Sequence, residues 1–222
     1  MTTSNKLLLG FTGVLVLFML FSAIILKANY NKGITNIKGQ EPKEDPDYAK
    51  TTLPAFKALV LSNTSPEPAN QGATFRIRES NDYALEFYKN ATFHVTGDTL
   101  YVEVSKSRDV VLFCPTISYI GNTSNYSLDL NSTKAPVLQI RSSSPTSTGI
   151  YNTEINSFSY TGTSDNRLEI NEENKLDSVR IMMGKNGSLF FYAPYKFGEF
   201  KVDSLNELNL AGKSIQSLKQ IN

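Results

Sequence analysis

The chain has 222 residues, with 22 Lys or Arg and 21 Asp or Glu side chains, so its formal net charge is +1. A charge balance near zero gives no electrostatic reason to expect nucleic acid as a partner, and we predict none. The one cysteine, Cys114, excludes an intramolecular disulfide and favours a bacterial envelope protein or a cytosolic protein over a disulfide-stapled secreted one.

An uncharged apolar stretch, Leu7–Leu26, lies near the amino terminus. As a helix it would be about 30 Å long, which is enough to cross the hydrocarbon core of a bilayer. A cleavable signal peptide is the alternative, but its apolar core usually spans about 7–15 residues, and no A-x-A cleavage pattern follows Leu26. We therefore predict an uncleaved transmembrane signal-anchor through which the protein contacts the membrane.

The lysines that flank this stretch do not decide its orientation. Lys6 precedes it, whereas Lys27, Lys32 and Lys38 follow it, so lysine counting alone keeps the carboxyl side in the cytoplasm. Long domains translocate largely regardless of local charge, and a first segment often acts as a signal-anchor. We predict that residues 1–6 are cytoplasmic and that the protein is a single-pass protein of a bacterial inner membrane, with its carboxyl-terminal domain in the periplasm.

A polar linker is predicted at residues 27–52, because residues 38–50 hold two prolines and many charges without apolar periodicity. The remaining domain, residues 53–222, has about 170 residues, enough for one hydrophobic core. Alternation of apolar and polar residues predicts half-buried strands in its first half. These strands are at residues 56–61, 75–78, 83–87 and 99–104.

The second half of the domain has a longer repeat. Apolar residues in short strand-like motifs recur mostly at spacings of ten or eleven residues, with one spacing of twenty. They are Leu128, Leu138, Phe158, Leu168, Val179, Leu189, Phe200 and Leu208. Two such units would make one coil of about twenty residues in a β-solenoid, where each coil stacks on the last.

Two all-β architectures fit this spacing. The repeat favours a β-solenoid, in which strands pair in parallel. An antiparallel β-sandwich also has turns every 8–12 residues, and Asn186-Gly187 between apolar runs is a hairpin signal in its favour. We predict the solenoid, continuing to the last residues, and keep the sandwich as the alternative.

The chain resembles the auto-transporter adhesin head (GIN) domain family. The resemblance is carried by the amino-terminal anchor, the strand region Ala91–Val104, the ten-residue Asn/Ser-rich units and the closing segment Leu208–Ser214. It covers roughly residues 54–222. It implies a bacterial envelope location and a single-stranded right-handed parallel β-helix, without an established enzymatic activity. It supplies no catalytic residues.

Candidate catalytic and metal-binding residues are few. The single histidine, His94, alternates with Phe93 and Val95 and is expected to face solvent, and no G-x-S-x-G motif accompanies it. One His and one Cys give no zinc-ligand spacing, and Cys114 is expected to be a small buried apolar residue. We predict no catalytic residue, no metal site and no cofactor.

The carboxylates Glu169, Glu172 and Glu173 border a turn. Paired carboxylates can hydrolyse glycosides or bind calcium, but calcium-binding loop patterns are missing from the sequence. A solvated turn is the favoured interpretation. A polysaccharide-active enzyme using these carboxylates is the third functional hypothesis.

An aromatic run between residues 190 and 200 is the best candidate for binding. Strand alternation cannot bury every ring in the run, so some rings are expected to reach the surface. The predicted binding residues are Tyr192, Tyr195, Lys196 and Phe197. The alternative is that these rings are buried in the core and under a covering loop.

These observations predict a non-catalytic binding or adhesion module of the bacterial envelope. An envelope protein or a glycan is the expected partner, recognised by a ladder of Asn, Ser, Thr and Tyr side chains. A structural or regulatory accessory subunit of a membrane complex is the alternative.

Overall fold

The protein folds into two units, residues 1–45 and residues 46–222. The structure, a computed structural model, describes residues 3–31, 47–64, 72–89, 91–105 and 108–218. The first unit contains helix α1, Thr3–Asn31. Its apolar part, Gly10–Ala28, has a mean hydropathy of 2.3, and none of it is buried.

Helix α1 contains the predicted membrane segment Leu7–Leu26 and continues beyond both of its ends. It continues because residues 3–6 and 27–31 include no glycine or proline to stop a helix. By length and composition the helix is compatible with a single-pass anchor or a signal sequence. Of the predicted cytoplasmic segment, residues 3–6 are helical and residues 1–2 lie outside the described part.

The described residues of the second unit are all-β apart from one short helix. Its first nine strands are β1 Ala49–Thr52, β2 Ala58–Asn63, β3 Thr74–Glu79, β4 Ala84–Phe87, β5 Ala91–Thr96, β6 Thr99–Val104, β7 Val110–Cys114, β8 Tyr119–Asn122 and β9 Ser127–Asn131. The others are β10 Lys134–Ser142, β11 Ser147–Tyr151, β12 Glu154–Gly162, β13 Arg167–Ile170, β14 Lys175–Met183, β15 Gly187–Phe191, β16 Phe197–Val202 and β17 Leu205–Leu210. Helix α2, Lys213–Leu218, follows β17, whereas the sequence predicts that the solenoid continues to the last residues.

The predicted linker, residues 27–52, overlaps regular structure at both ends. Residues 27–31 belong to α1, residues 32–46 lie outside the described residues, and residues 49–52 form β1. Strand β1 has no apolar pattern of its own, but it pairs antiparallel with β4. The folded part therefore begins before the predicted boundary at residue 53.

The strands form two mixed sheets that share one hydrophobic core. Sheet A has nine strands in the order β1-β4-β7-β3-β9-β11-β13-β15-β17. Sheet B has eight strands in the order β16-β14-β12-β10-β8-β2-β6-β5. The prediction of an all-β domain after one apolar helix is confirmed. The arrangement is sandwich-like, and neither sheet closes into a barrel.

From β8 onward, successive strands alternate between the two sheets. Each strand pairs in parallel with the strand two positions later, so that Leu138 lies beside Phe158, and Phe158 beside Val179. The ten-residue spacing in the sequence is therefore the step from one sheet to the other. Among the described strands, antiparallel pairing is found between β1 and β4, β4 and β7, and β5 and β6.

The Asn186-Gly187 turn is not a hairpin, contrary to the sequence signal. Strands β14 and β15, on either side of it, belong to different sheets, so the turn carries the chain from sheet B to sheet A. Asn186 has a φ of 56°, and the equivalent turn between β12 and β13 has Asp165 at 61°. Asn and Asp tolerate this left-handed conformation, and it serves a turn between the two sheets as well as a hairpin.

Candidate functional site

Two of the four predicted binding residues are largely covered. Tyr195 is 6% exposed, and its ring packs edge-on against Phe191 and Phe200, with centroid distances of 5.4 and 5.8 Å. Burial raises the pKa of the Tyr195 phenol. Tyr192 is half-buried, and its N–H donates to the carbonyl of Ile170. Tyr195 is therefore a core residue, as in the alternative interpretation of the aromatic run.

Gly198 explains why Tyr195 is buried. In sheet B it lies in the inward-facing column that contains Phe158 on β12 and Val179 on β14. A Cβ at Gly198 would lie 2.6 Å from Cε2 of Tyr195 and 2.8 Å from Cε2 of Phe200. The Tyr195 ring thus fills the space that a larger residue at position 198 would need.

The other two predicted residues are at the surface. Lys196 is exposed, and its Nζ lies 2.8 Å from Oδ1 of Asp177, an exposed ion pair that contributes little to stability. Phe197 is 73% exposed at the start of β16, the edge strand of sheet B. At least one ring of the run reaches the surface, as the sequence predicts. Ligand binding by these residues stays a prediction.

A groove of about 440 Å³ lies beside Phe197 on sheet B. It runs across β12, β14 and β16 and is lined by Ser157, Phe158, Ser159, Ser178, Val179, Arg180, Phe197, Gly198 and Glu199. Of these residues, only Phe197 is among the binding residues predicted from the sequence. They are far apart in sequence, and the parallel register brings them together.

Two outward columns of side chains form the polar part of the groove. Ser157, Ser178 and Phe197 are neighbours in one column, and Ser159, Arg180 and Glu199 are neighbours in the other. Adjacent strands are about 4.8 Å apart, so neighbouring side chains in a column are separated by about this distance. Nearly all of these side chains are polar. The groove thus combines hydroxyl groups, one exposed ring and one ion pair.

Glu199 is the centre of charge in the groove. Nε and Nη2 of Arg180 both lie 2.7 Å from its Oε2, and Nζ of Lys201 lies 3.0 Å from its Oε1. The hydrogen bonds from Lys201 and Arg180 lower the pKa of the Glu199 carboxyl. The carboxylate is therefore ionised at neutral pH. Its orientation is fixed on both sides by cations.

A second polar column lies on the outer face of sheet A and was not recognised in the sequence. Arg76, Asp129, Gly149, Glu169 and Phe190 are successive neighbours in the register of five adjacent strands. The last four are spaced by twenty or twenty-one residues. Aligning the sequence with itself at a shift of about twenty residues would therefore have revealed them.

A tyrosine ring covers the gap in this second column. A Cβ at Gly149 would overlap the ring of Tyr151, so the glycine leaves room for it. Burial raises the pKa of the Tyr151 phenol, and the negative charges of Glu169 and Asp129 raise it further. Arg76 pairs with Asp109 at 2.7 Å. The column is polar and charged, with one aromatic ring between two carboxylates.

His94 and Cys114 lie apart from the groove and lack the surroundings of catalytic residues. His94 is exposed and stacks on Tyr101, with ring centroids 4.9 Å apart. Cys114 is buried, and burial raises the pKa of its thiol to about 12, so it is a neutral thiol at physiological pH. Within the described residues, no group of three or more His, Cys, Asp or Glu side chains is arranged to hold a metal ion.

The carboxylates near the turn at residue 171 are separated in the structure. Glu169 lies on β13, with its Oε2 3.0 Å from Nη2 of Arg167. Glu172 and Glu173 are exposed on the following turn. The solvated-turn interpretation fits Glu172 and Glu173, whereas Glu169 belongs to the second polar column.

The sequence matches no known family, whereas the fold is similar to solved structures. No protein-family model and no curated protein matches the chain, so the resemblance to the GIN family stays a prediction. The fold is similar to a "Putative lipid binding protein" from Parabacteroides distasonis, with a TM-score of 0.42 and 9% identity over 77% of this chain and 96% of that one. It is also similar to a "putative adhesin" from Parabacteroides merdae, with a TM-score of 0.34 and 10% identity over 73% of this chain and 94% of that one.

Proposed function

We propose that this protein is a membrane-anchored, non-catalytic binding or adhesion module of the bacterial envelope, and that the groove on sheet B binds a glycan. The groove is the observation that carries the proposal. It places an exposed ring, a row of hydroxyls and a fixed carboxylate on one surface, and these groups match the apolar faces and hydroxyls of a sugar chain.

We further propose that the domain is a single-stranded, right-handed β-solenoid of the GIN type. The parallel pairing of β8 to β17 at offsets of about twenty residues supports the stacked-coil part of this proposal. The handedness comes from the family resemblance. In such a stack, outward side chains repeat from coil to coil, which suits recognition of a repeating polymer.

The anchor proposal depends on the apolar surface of α1. The described side chains of Gly10–Ala28 are exposed all round, which is costly in water and favourable in lipid. We propose that the amino terminus is cytoplasmic and that the domain is in the periplasm of a bacterium. In that arrangement the helix restricts the groove to the membrane surface.

Cysteine labelling tests this topology. The full chain with Asn156→Cys, an exposed position on sheet B, is produced in bacteria. Spheroplasts are prepared from these cells and treated with a membrane-impermeant maleimide. We expect labelling without permeabilisation, together with an intact mass that includes residues 1–26. The wild type is the control, because its buried Cys114 should stay unlabelled. Labelling only after permeabilisation would place the domain in the cytoplasm, and loss of residues 1–26 would mean a cleaved signal.

Replacing Phe197 tests the binding site. We expect Phe197→Ala in the full chain, reconstituted in nanodiscs, to weaken binding to the best ligand of a bacterial glycan panel by about tenfold. That corresponds to about 1.4 kcal/mol, which is in the range for losing one aromatic contact at a binding site. Binding is measured by biolayer interferometry.

Val137→Ala is the matched control. Val137 is 50% exposed and lies in the same outward column as Phe197, three strands from the edge and outside the groove. We expect its affinity to equal that of the wild type. Equal loss in both variants would place the ligand elsewhere on sheet B, and failure of the wild type to bind any glycan of the panel would contradict the proposed function.

A further inference from the structure

The last coil leaves one end of the hydrophobic core uncovered. Leu208 on β17 is in register with Leu189 on β15, so both occupy the same inward-facing column. Leu189 is 1% exposed, whereas Leu208 is 54% exposed. The difference arises because β15 has a neighbour on each side, whereas β17 is the terminal strand of sheet A.

The same loss of cover extends across both sheets at this end. On β16, Phe200 and Val202 are in register with Ile181 and Met183, which are buried. Phe200 and Val202 are only half-buried, and Ile215 on α2 is 44% exposed. Partly exposed apolar side chains of the edge strands β16 and β17 thus mark this end of the core, which we call the terminal face.

The opposite end of the stack is built differently. There β4 and β5 pair antiparallel with the last parallel strands, β7 and β6, and β1 pairs with β4. Stacked-repeat proteins need terminal elements that cover the core, and an uncovered edge strand is a template for pairing with another chain. The terminal face, with two parallel edge strands and exposed apolar residues, therefore has the properties of an interface.

The charges on β16 indicate which partner fits. Phe200 is flanked by Glu199 and Lys201, both on the outer face of the sheet. If two copies of β16 pair antiparallel about Phe200, Glu199 of each copy lies opposite Lys201 of the other. Opposite charges at directly facing positions favour such a pair, and like charges disfavour it. The edge strand is thus complementary to itself.

We propose that the protein forms a two-fold symmetric dimer through the terminal face, by antiparallel pairing of β16 with β16 of a second copy, centred on Phe200. In this dimer sheet B continues from one copy into the other, and Phe200 and Val202 are covered. The groove, which ends at β16, joins the groove of the second copy to make one binding surface twice as long. This inference goes beyond the proposed function, since dimerisation does not depend on which ligand the groove binds.

Charge reversal tests the proposed register. The full chain is studied in detergent by analytical ultracentrifugation, and the wild type is expected to be dimeric. Glu199→Lys and Lys201→Glu each place two like-charged pairs across the two-fold axis, and each should weaken the dimer about tenfold. The double variant E199K/K201E restores both pairs, and its dimer affinity should return to within about twofold of the wild type.

The double variant controls for one of the two local effects. In Glu199→Lys the new lysine faces Arg180 of its own chain, and that repulsion persists in the double variant, so it cannot account for recovery. The ion pair between residues 199 and 201 of one chain is lost in each single variant and regained in the double variant, so assigning recovery to the dimer also requires a cross-link between positions 199 and 201 of different chains. A monomeric wild type, or a double variant as dissociated as the single variants, would overturn the proposal. Each sample is also tested on the glycan panel, so that loss of ligand binding and loss of the dimer are read independently.

Cross-linking gives a second measurement of the same register. Glu199→Cys and Lys201→Cys chains with different tags are mixed and oxidised, and we expect a disulfide between unlike chains. Glu199→Cys mixed with Gln139→Cys is the control, because Gln139 lies in the same column three strands from the edge and should not cross-link. Equal cross-linking in both mixtures would overturn the proposed pairing.

Discussion

Replacing Phe191 with alanine is expected to lower the free energy of unfolding by about 3–5 kcal/mol, the usual range for truncating a fully buried phenylalanine. Phe191 is fully buried, with the rings of Tyr195 and Phe200 at centroid distances of 5.4 and 5.9 Å. Its loss removes apolar contacts and leaves a cavity under both rings. Urea denaturation of the full chain in detergent, followed by circular dichroism of the β-sheet signal, measures the change.

Phe197→Ala is the matched control for this prediction. It removes the same side chain six residues later, where the ring is 73% exposed, so the free energy of unfolding should change by less than about 0.5 kcal/mol. Glycan binding should show the opposite order, because Phe197→Ala removes a ring of the proposed binding groove and Phe191→Ala does not. Equal loss of stability in the two variants would contradict the division of the aromatic run into core and surface residues.

The strand positions could be predicted because alternation is a local property of the sequence. The repeat residues Leu128, Leu138, Phe158 and Leu168 are buried, as their pattern predicts. The same pattern fails to predict that Leu208 is 54% exposed. Whether an inward-facing residue is covered depends on the neighbouring strand, and no repeat pattern shows which strand is at the edge of its sheet.

The order of the strands was not predictable from the sequence. Strand β2, early in the chain, lies between β6 and β8, and β3 lies between β7 and β9. In chain order β2 and β3 come first, β4 and β5 follow at a distance from them, and β6 and β7 then return to lie between the two pairs. Alternation specifies which face of a strand is buried, but it does not specify its partner.

The candidate site was predictable only in part for a similar reason. The aromatic run indicated that a ring would be exposed, and Phe197 is. Tyr195 is buried because Gly198, three residues later in the sequence, has no side chain. A Cβ at position 198 would clash with the Tyr195 ring. The polar partners of Phe197 lie on β14 and β12, about twenty and forty residues earlier, and only the register joins them.

A buried asparagine ties the turn between β13 and β14 to the turn between β11 and β12. Asn174 is 1% exposed, and its Oδ1 accepts hydrogen bonds from N and Oγ1 of Thr153 at 2.9 and 2.8 Å. Its Nδ2 donates to the carbonyls of Ile150 and Asn171 at 2.8 and 2.6 Å. Asn174→Ala should cost about 2 kcal/mol, because it leaves the Thr153 N–H without this partner, and a buried unpaired group costs about 1–3 kcal/mol. The Ile150 carbonyl still accepts a hydrogen bond from the N–H of Asn171.

Asn174→Asp should make the stability of the protein depend on pH. The new carboxyl would direct one oxygen at the carbonyls of Ile150 and Asn171, which favours its protonated form, and burial favours that form too. Its pKa in the folded protein is therefore raised above the unfolded value of about 3.9. Between these two pKa values the folded state binds more protons than the unfolded state, so stability falls as pH rises through this window.

Urea midpoints measured from pH 4 to pH 8 should decrease for Asn174→Asp relative to Asn174→Ala, which has no titrating group at this position. Parallel midpoint curves for the two variants would show that the site accommodates the charge and would contradict the role assigned to Asn174.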